Sequence, residues 1–408
     1  MAGPGAYLFG NEERKELMDV MESGYLFRYE VENDPAYKRK VVQFENEFAE
    51  YSNAKHCVAV NSGTGALMCC LAALGIGPGD EVIVPGYTFI ASISSIILSR
   101  AIPVLAEIDE SLTIDPEDIR KKITKKTKAI MPVHMLGNPC DMDKIMEIAK
   151  EHNLYVIEDC CQAAGGSYKG KKLGTIGDIG AFSLNVFKTI SAGDGGMVIT
   201  NDSNLYERAF GFHDQGHKPN RTGVEVGNRS IIGMNMRMNE LSGAVALAQV
   251  RKLGRIVDML QERKAKLKDG VSKIPGLGFR KINDKGECAT LLTLLFNDKA
   301  TADKFGSNIG ATTISHSGWH VYNNMEQILE KKTSTEYNCP YVCEAYGQSI
   351  EYHKHMLPQT DAILDRAINI SVGVVDKGLG APFGINIKSN DDEIAQIVET
   401  VKTIMMKI

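Results

Sequence analysis

Apolar residues recur along the first 200 positions in two alternating spacings. Short runs rich in Val and Ile stand between longer stretches in which apolar residues return every three or four positions. The runs lie at 58–61, within GPGDEVIVPG, within IPVLAEID, at 128–133 and at 155–158. Between them the pattern predicts helices over 66–74, about 89–99, 116–123 and 141–152. Short strands alternating with helices need crossover connections, which argues for a mostly parallel sheet covered on both faces. Upstream, the pattern predicts helices at 11–23 and 39–51, joined by the aromatic loop SGYLFRYEVENDP. Residues 238–271 read as one long helix, apolar nearly all round in its first half and amphipathic in its second. Such a helix leaves one domain and enters another. After Pro275 come short strands, including 289–296, with helices and polar loops. The chain therefore reads as an N-terminal segment (1–35) packing on a small domain, a large domain (36–255) and a smaller α+β domain (256–408).

Composition narrows the function classes. A chain of 408 residues, 43% hydrophobic and 24% charged, can bury a large core as a globular protein. Its net charge of -5 supplies no basic field for nucleic acid, and RKKITKKTK at 120–128 reads as a solvated helix end. The start, MAGPGAYLFGNEERKELM, lacks the basic and apolar regions of a signal peptide, and no apolar run reaches membrane-spanning length. Nine cysteines without a regular spacing, some adjacent (Cys69 and Cys70, Cys160 and Cys161), suggest reduced thiols and a cytoplasmic protein.

Three features can carry chemistry at the carboxyl ends of such strands, where ligands of open parallel sheets gather. SGTG (62–65) lies between a strand and a helix, so its N–H groups and the helix dipole suit an anion, although a small-residue turn alone reads the same way. Asp159 ends the strand VIED and can hold a cationic ring nitrogen or simply cap the next segment. Lys188 stands alone in GDIGAFSLNVFKTISAGDGGMVIT, framed by two strands and a glycine-rich turn. A lysine held in a partly apolar frame can lose its proton and attack a carbonyl as a Schiff-base amine. Phosphate cradle, carboxylate and amine together match the needs of pyridoxal phosphate.

The motifs NSGTGAL, GDEVIVPGYTFIAS, TKAIMPVH, VIEDCCQAAGGSYKGKKLGTIGDIGAFS, the lysine loop with GDGG, and GMNMRMNELSGAVALAQ carry a resemblance over nearly the whole chain. It is to the DegT/DnrJ/EryC1/StrS family of pyridoxal-phosphate sugar aminotransferases. The resemblance implies the aspartate-aminotransferase-like (type I) α/β fold, with a mostly parallel seven-stranded sheet and a smaller α+β C-terminal domain. It implies that Lys188 forms the Schiff base and shuttles protons, and that Asp159 pairs with the pyridinium nitrogen. Gln162 then contacts the ring hydroxyl side, Phe89 stacks on the ring, and Gly63, Thr64, Gly65 and Ser183 hold the phosphate. Asn235 reaches the phosphate of a neighbouring subunit, because the family builds its sites across a homodimer. Asn185 stands where family members often carry histidine. The implied reaction moves an amino group from glutamate or glutamine to a keto- or aldehydo-sugar in amino-sugar biosynthesis. GFHDQGH, GWHVYNNMEQ and MLPQTDAILDRAINIS further resemble members acting on eight-carbon acidic sugars, of the 8-amino-3,8-dideoxy-octulosonate type.

Substrate candidates are Arg28, through a bidentate grip on a carboxylate, His217 and Arg221 in the loop 213–229, and His320. His316 and His320 are spaced i, i+4 without a nearby third ligand, so no metal is assigned there. Cys339, Cys343, His353 and His355 form a loose zinc-like spacing inside a loop insertion, read mainly as an ordinary loop. Two other enzymatic readings are a sugar dehydratase, whose usual mark is histidine in place of the lysine, and an amino-cyclitol aminotransferase. A regulator or scaffold on the same fold is the non-enzyme reading, and the intact Lys188, Asp159 and SGTG speak against it.

Overall fold

A computed structural model describes the chain except for residues 1–2, 30–33, 220–226, 228, 345–349, 374, 376 and 378–379. Seven strands form the main sheet: β1 (His56–Val60), β2 (Glu81–Pro85), β3 (Ile102–Ala106), β4 (Thr127–Ile130), β5 (Tyr155–Asp159), β6 (Ile179–Ser183) and β7 (Gly196–Thr200). Their order is β1-β7-β6-β5-β4-β2-β3. Neighbours from β6 to β3 are parallel, and β7 runs antiparallel to both β1 and β6.

Alternation along each strand splits the core in two. Val82, Val84 and Ala129 join one buried cluster, while Ile83 and Ile130 join the other. Helices and the C-terminal part cover both faces, so the strands are apolar on both sides, as a buried parallel sheet requires. β3 would leave an open edge. There the Tyr352 hydroxyl donates to the Pro103 carbonyl (2.6 Å), so the segment before Leu357 covers it.

The second sheet is antiparallel: β8 (Gly278–Phe279), β9 (Leu291–Leu295) and β10 (Ala367–Ser371). The long helix expected over 238–271 is two helices, Glu240–Val250 and Leu253–Val271. Around the break the side chains turn to the N-terminal segment. Gln249 Nε2 donates to Glu13 (2.7 Å), Lys252 pairs with Glu13 (2.8 Å) and Arg251 with Glu16 (2.8 Å). The N-terminal helix Asn11–Ser23 thus lies along Glu240–Val250, and Pro4 sits against Gly373. Among the described residues no helix is long and apolar enough to cross a membrane.

Candidate active site

β5 ends on two adjacent carboxylates that alternation sends to opposite faces. Glu158 accepts from the backbone N–H groups of Gly174, Ile176 and Gly177 (2.8, 2.7 and 2.6 Å) and from His134 Nε2 (3.1 Å). The other ring nitrogen of His134 accepts from Cys140 N (3.0 Å). His134, Glu158 and Cys160 are close enough to suggest a metal trio, but the histidine and carboxylate atoms are spent on these bonds. Asp159 faces the other way. One oxygen accepts from the Ser92 hydroxyl (2.7 Å) and the other from Cys161 N (3.0 Å). Ser92 in turn accepts from the Thr88 hydroxyl (2.7 Å), so a buried Thr88–Ser92 pair fixes the carboxylate's orientation.

β1 delivers the phosphate turn. Ser62 caps the helix Gly63–Ala73, its hydroxyl accepting from Gly65 N (2.9 Å). That bond spends the Gly65 N–H and leaves Ser62, Gly63 and Thr64 on the cavity wall. Gly63 is needed for space: a Cβ there would lie 2.7 Å from Ser183 Cβ and 3.2 Å from Cys161 Sγ. Ser183 ends β6, so its hydroxyl faces the first turn of the helix from the next strand but one. Beyond it the lysine loop closes on itself. Leu184 N donates to Gly195 O (2.8 Å), Lys188 N to Asn185 O (3.0 Å), and Asn185 Nδ2 to Asp194 (3.0 Å). The N-terminal segment braces the loop from outside, with Gly3 N donating to Val186 O (2.7 Å).

These pieces meet in one cavity of about 510 Å³. Asp159, Gln162, Ser183, Lys188, Phe89 and His320 all line it, with Trp319 beside them. Lys188 is half-buried, and its proton affinity is lowered by burial, against the opposing pull of Cys161 and Asp159. Some of its population is thereby biased toward the neutral, nucleophilic amine. His320 is pushed down to about 3, first by burial and then by the charge of Lys188, so its ring is neutral. Its Nδ1 is buried with no hydrogen-bond partner, an acceptor or donor still unused in the wall.

The family model for DegT/DnrJ/EryC1/StrS aminotransferases matches residues 10–375. The chain belongs to that family. It is 41% identical over 254 residues to the GDP-perosamine synthase of Vibrio cholerae, covering 61% of this chain and 65% of that one. It is 46% identical over 223 residues to the GDP-perosamine synthase of Escherichia coli O157:H7, covering 54% and 60%. The matches thus span less than two thirds of these curated relatives. Among solved structures, an aminotransferase from Psychrobacter cryohalolentis superposes with a TM-score of 0.78 at 29% identity, covering 98% of each chain. The fold is the type I fold of pyridoxal-phosphate aminotransferases, as the sequence resemblance implied.

The family's cofactor is pyridoxal 5'-phosphate, and the cavity fits it on its own chemistry. It offers an amine of lowered proton affinity, an oriented carboxylate and a turn at a glycine where a Cβ would lie 2.7 Å from Ser183 Cβ. Gln162 fits less simply, since its side-chain oxygen accepts from Leu136 N (2.9 Å), which leaves the amide N–H groups to face a ligand.

Four expected residues among the described ones are not on this wall, and one is Gly65, whose N–H is spent on Ser62. Arg28 is a correction: it is buried in a bidentate pair with Glu45 (2.9 and 3.0 Å) and donates to Ala59 O (3.3 Å). Its guanidinium anchors the N-terminal loop to β1, so it has no free fork to offer a substrate carboxylate. Asn235 is exposed and His217 half-buried, and neither lines the cavity of its own chain. Arg221 lies outside the described residues. Sequence reading missed Ser92, Thr88, Asp194 and Trp319. Ser92 stands three residues after Phe89 at a helix start, a spacing that puts it on the same face. Nothing local marked the others.

Proposed function

We propose that this chain is a pyridoxal-phosphate-dependent transaminase that moves an amino group from glutamate or glutamine to a keto- or aldehydo-sugar. The observation that carries the reading is the convergence of Lys188, Asp159 and the Ser62–Thr64 turn, from three distant stretches, on one cavity. When bound, the cofactor supplies an electron sink for the carbon that gains or loses a proton. The chain supplies the rest. Lys188 Nζ would hold the cofactor and, once freed by the amino donor, would move the proton in each half-reaction. Asp159, fixed by Ser92 and Cys161 N, keeps a ring nitrogen protonated. Gly63, Thr64 and Ser183 hold the phosphate, Gln162 faces the ring hydroxyl side, and Phe89 covers a ring face. His320 stays neutral and offers a hydrogen bond to the acceptor.

The acceptor in this reading is an eight-carbon acidic sugar, with the amino group placed at C8. Among the described lining residues there is no arginine, so an acidic acceptor would draw its cation from elsewhere, with Arg221 the candidate. A nucleotide-linked hexose is the second reading, favoured by the names of the perosamine synthases. The working unit is a homodimer: Asn235 is exposed and off its own cavity, as a residue serving a second copy must be. Nine free cysteines suit a cytoplasmic setting.

Purified protein incubated with pyridoxal phosphate is expected to be yellow, with a visible band absent from Lys188→Ala. A wild type that stays colourless refutes the reading. Glutamate or glutamine should bleach the band. If neither does, while a sugar loses water, the protein is a dehydratase.

A further inference from the structure

The segment from Glu326 to Leu357, so far as it is described, is a strap between the sheet edge and the site. Tyr352 reaches Pro103 on β3, and Tyr341 packs edge-to-face on Tyr352 with ring centroids 5.8 Å apart. Leu357 presses on Gly86, where an added Cβ would lie 2.2 Å from Leu357 Cδ1, and Leu357 N donates to the Tyr322 hydroxyl (3.0 Å). Gly86 opens the turn that carries Thr88 and Phe89.

At the bend of this strap the Sγ atoms of Cys339 and Cys343 lie 3.0 Å apart. That is about 1 Å beyond the length of a disulfide bond, roughly 2.05 Å. The backbone around them is fixed: Cys339 N donates to Thr335 Oγ1 (2.9 Å) and Cys343 N to Pro340 O (3.0 Å). Both are half-buried, whereas Cys57, Cys69, Cys70, Cys140, Cys160 and Cys288 are buried and Cys161 lines the cavity. A metal is the weaker occupant. His355 is paired with Asp361 (2.9 Å), His353 Nδ1 is bonded to Lys354 O (2.9 Å), and these residues do not converge with the thiols.

We propose that Cys339 and Cys343 form a reversible dithiol–disulfide pair, closed by exchange with a small-molecule disulfide such as oxidised glutathione. One thiolate attacks the small disulfide, forming a mixed disulfide and releasing one small thiol. The second thiolate then attacks the protein sulfur of that bond and releases the other small thiol. Two protein thiols are oxidised, one small disulfide is reduced to two thiols, and the two protons go to them. Either sulfur can make the first attack, since the two lie 3.0 Å apart. Closure ties the bend of the strap without asking the backbone to move far.

The test uses the full chain with its cofactor, reduced and then incubated natively with oxidised glutathione. Free thiols are alkylated, and the protein is digested with trypsin without reduction. Residues 333–354 form one tryptic peptide containing both cysteines. The expected result is a loss of about 2 Da from that peptide with no alkyl group, reversed by dithiothreitol. Cys343→Ser should instead retain one glutathione on Cys339. A wild-type peptide with two alkyl groups, with two glutathiones, or linked to another peptide overturns the proposal. The visible band of the cofactor, followed in parallel, tests the transaminase reading separately.

Discussion

The Gly63→Ala substitution probes the phosphate turn through a single methyl group. Its Cβ would meet Ser183 Cβ at 2.7 Å, Ser183 Oγ at 3.0 Å and Cys161 Sγ at 3.2 Å. Carbon atoms rest at about 3.5–4.0 Å, so nearly 1 Å of room must be made at the end of β6. Overpacking of this kind costs about 1–3 kcal/mol. Alanine is the better helix former by roughly 0.5–1 kcal/mol, so the apoprotein should lose about 1–2 kcal/mol. The larger effect falls on the cofactor, because Gly63 N–H and the Ser183 hydroxyl are pushed apart. Hydrogen bonds to a charged group contribute about 1.5–3 kcal/mol each, and partial loss of two should weaken pyridoxal phosphate roughly 10- to 100-fold. The chain's only tryptophan, Trp319, lines the cavity, so quenching of its fluorescence measures binding directly. Gly318→Ala, where a Cβ meets nothing within 4 Å, is the control and should leave apoprotein stability unchanged. If Gly63→Ala binds the cofactor within about twofold of wild type, the cradle argument is wrong.

Arg28→Met should cost about 3–5 kcal/mol of stability by stranding the buried Glu45, without a selective rise in the KM of the donor. Chemical denaturation beside steady-state kinetics checks this, and a stable variant with only a raised KM would restore a substrate role for Arg28. His320 and His213 are both pushed down to about 3, mainly by burial, so the unfolded chain takes up their protons first as pH falls below about 6.5. Apoprotein stability should therefore fall between about pH 6.5 and pH 3, by roughly 1.4 kcal/mol per unit for each histidine. His320→Asn should remove about half of that slope in denaturant titrations at several pH values, and an unchanged slope would show that His320 does not stay neutral. Ser92→Ala removes the Asp159 contact and leaves the Thr88 hydroxyl only its long bond to Phe89 O (3.4 Å). A loss of about 1–2 kcal/mol in stability and roughly tenfold in kcat is expected, and unchanged turnover would mean that Asp159 needs no such support.

The sequence by itself determined the parallel sheet, because runs of Val and Ile between helical stretches can be buried only on both faces of such a sheet. It also picked out Lys188, Asp159 and SGTG as candidates, since ligands gather at strand ends, and the fold brings Lys188, Asp159 and the turn at 62–64 to one cavity. The tertiary structure decided what is near what. Arg28 looked like a free cation in an aromatic loop, yet Glu45 and Ala59, far along the chain, enclose it. Ser92 and Thr88 were not singled out by the sequence, yet β5, the next strand but one from β2, brings Asp159 to them. The single helix read at 238–271 divides in two where Gln249, Arg251 and Lys252 turn to the N-terminal segment. Local patterning encodes which face of an element is buried, whereas long-range pairing of polar groups depends on strand order, which no local pattern contains.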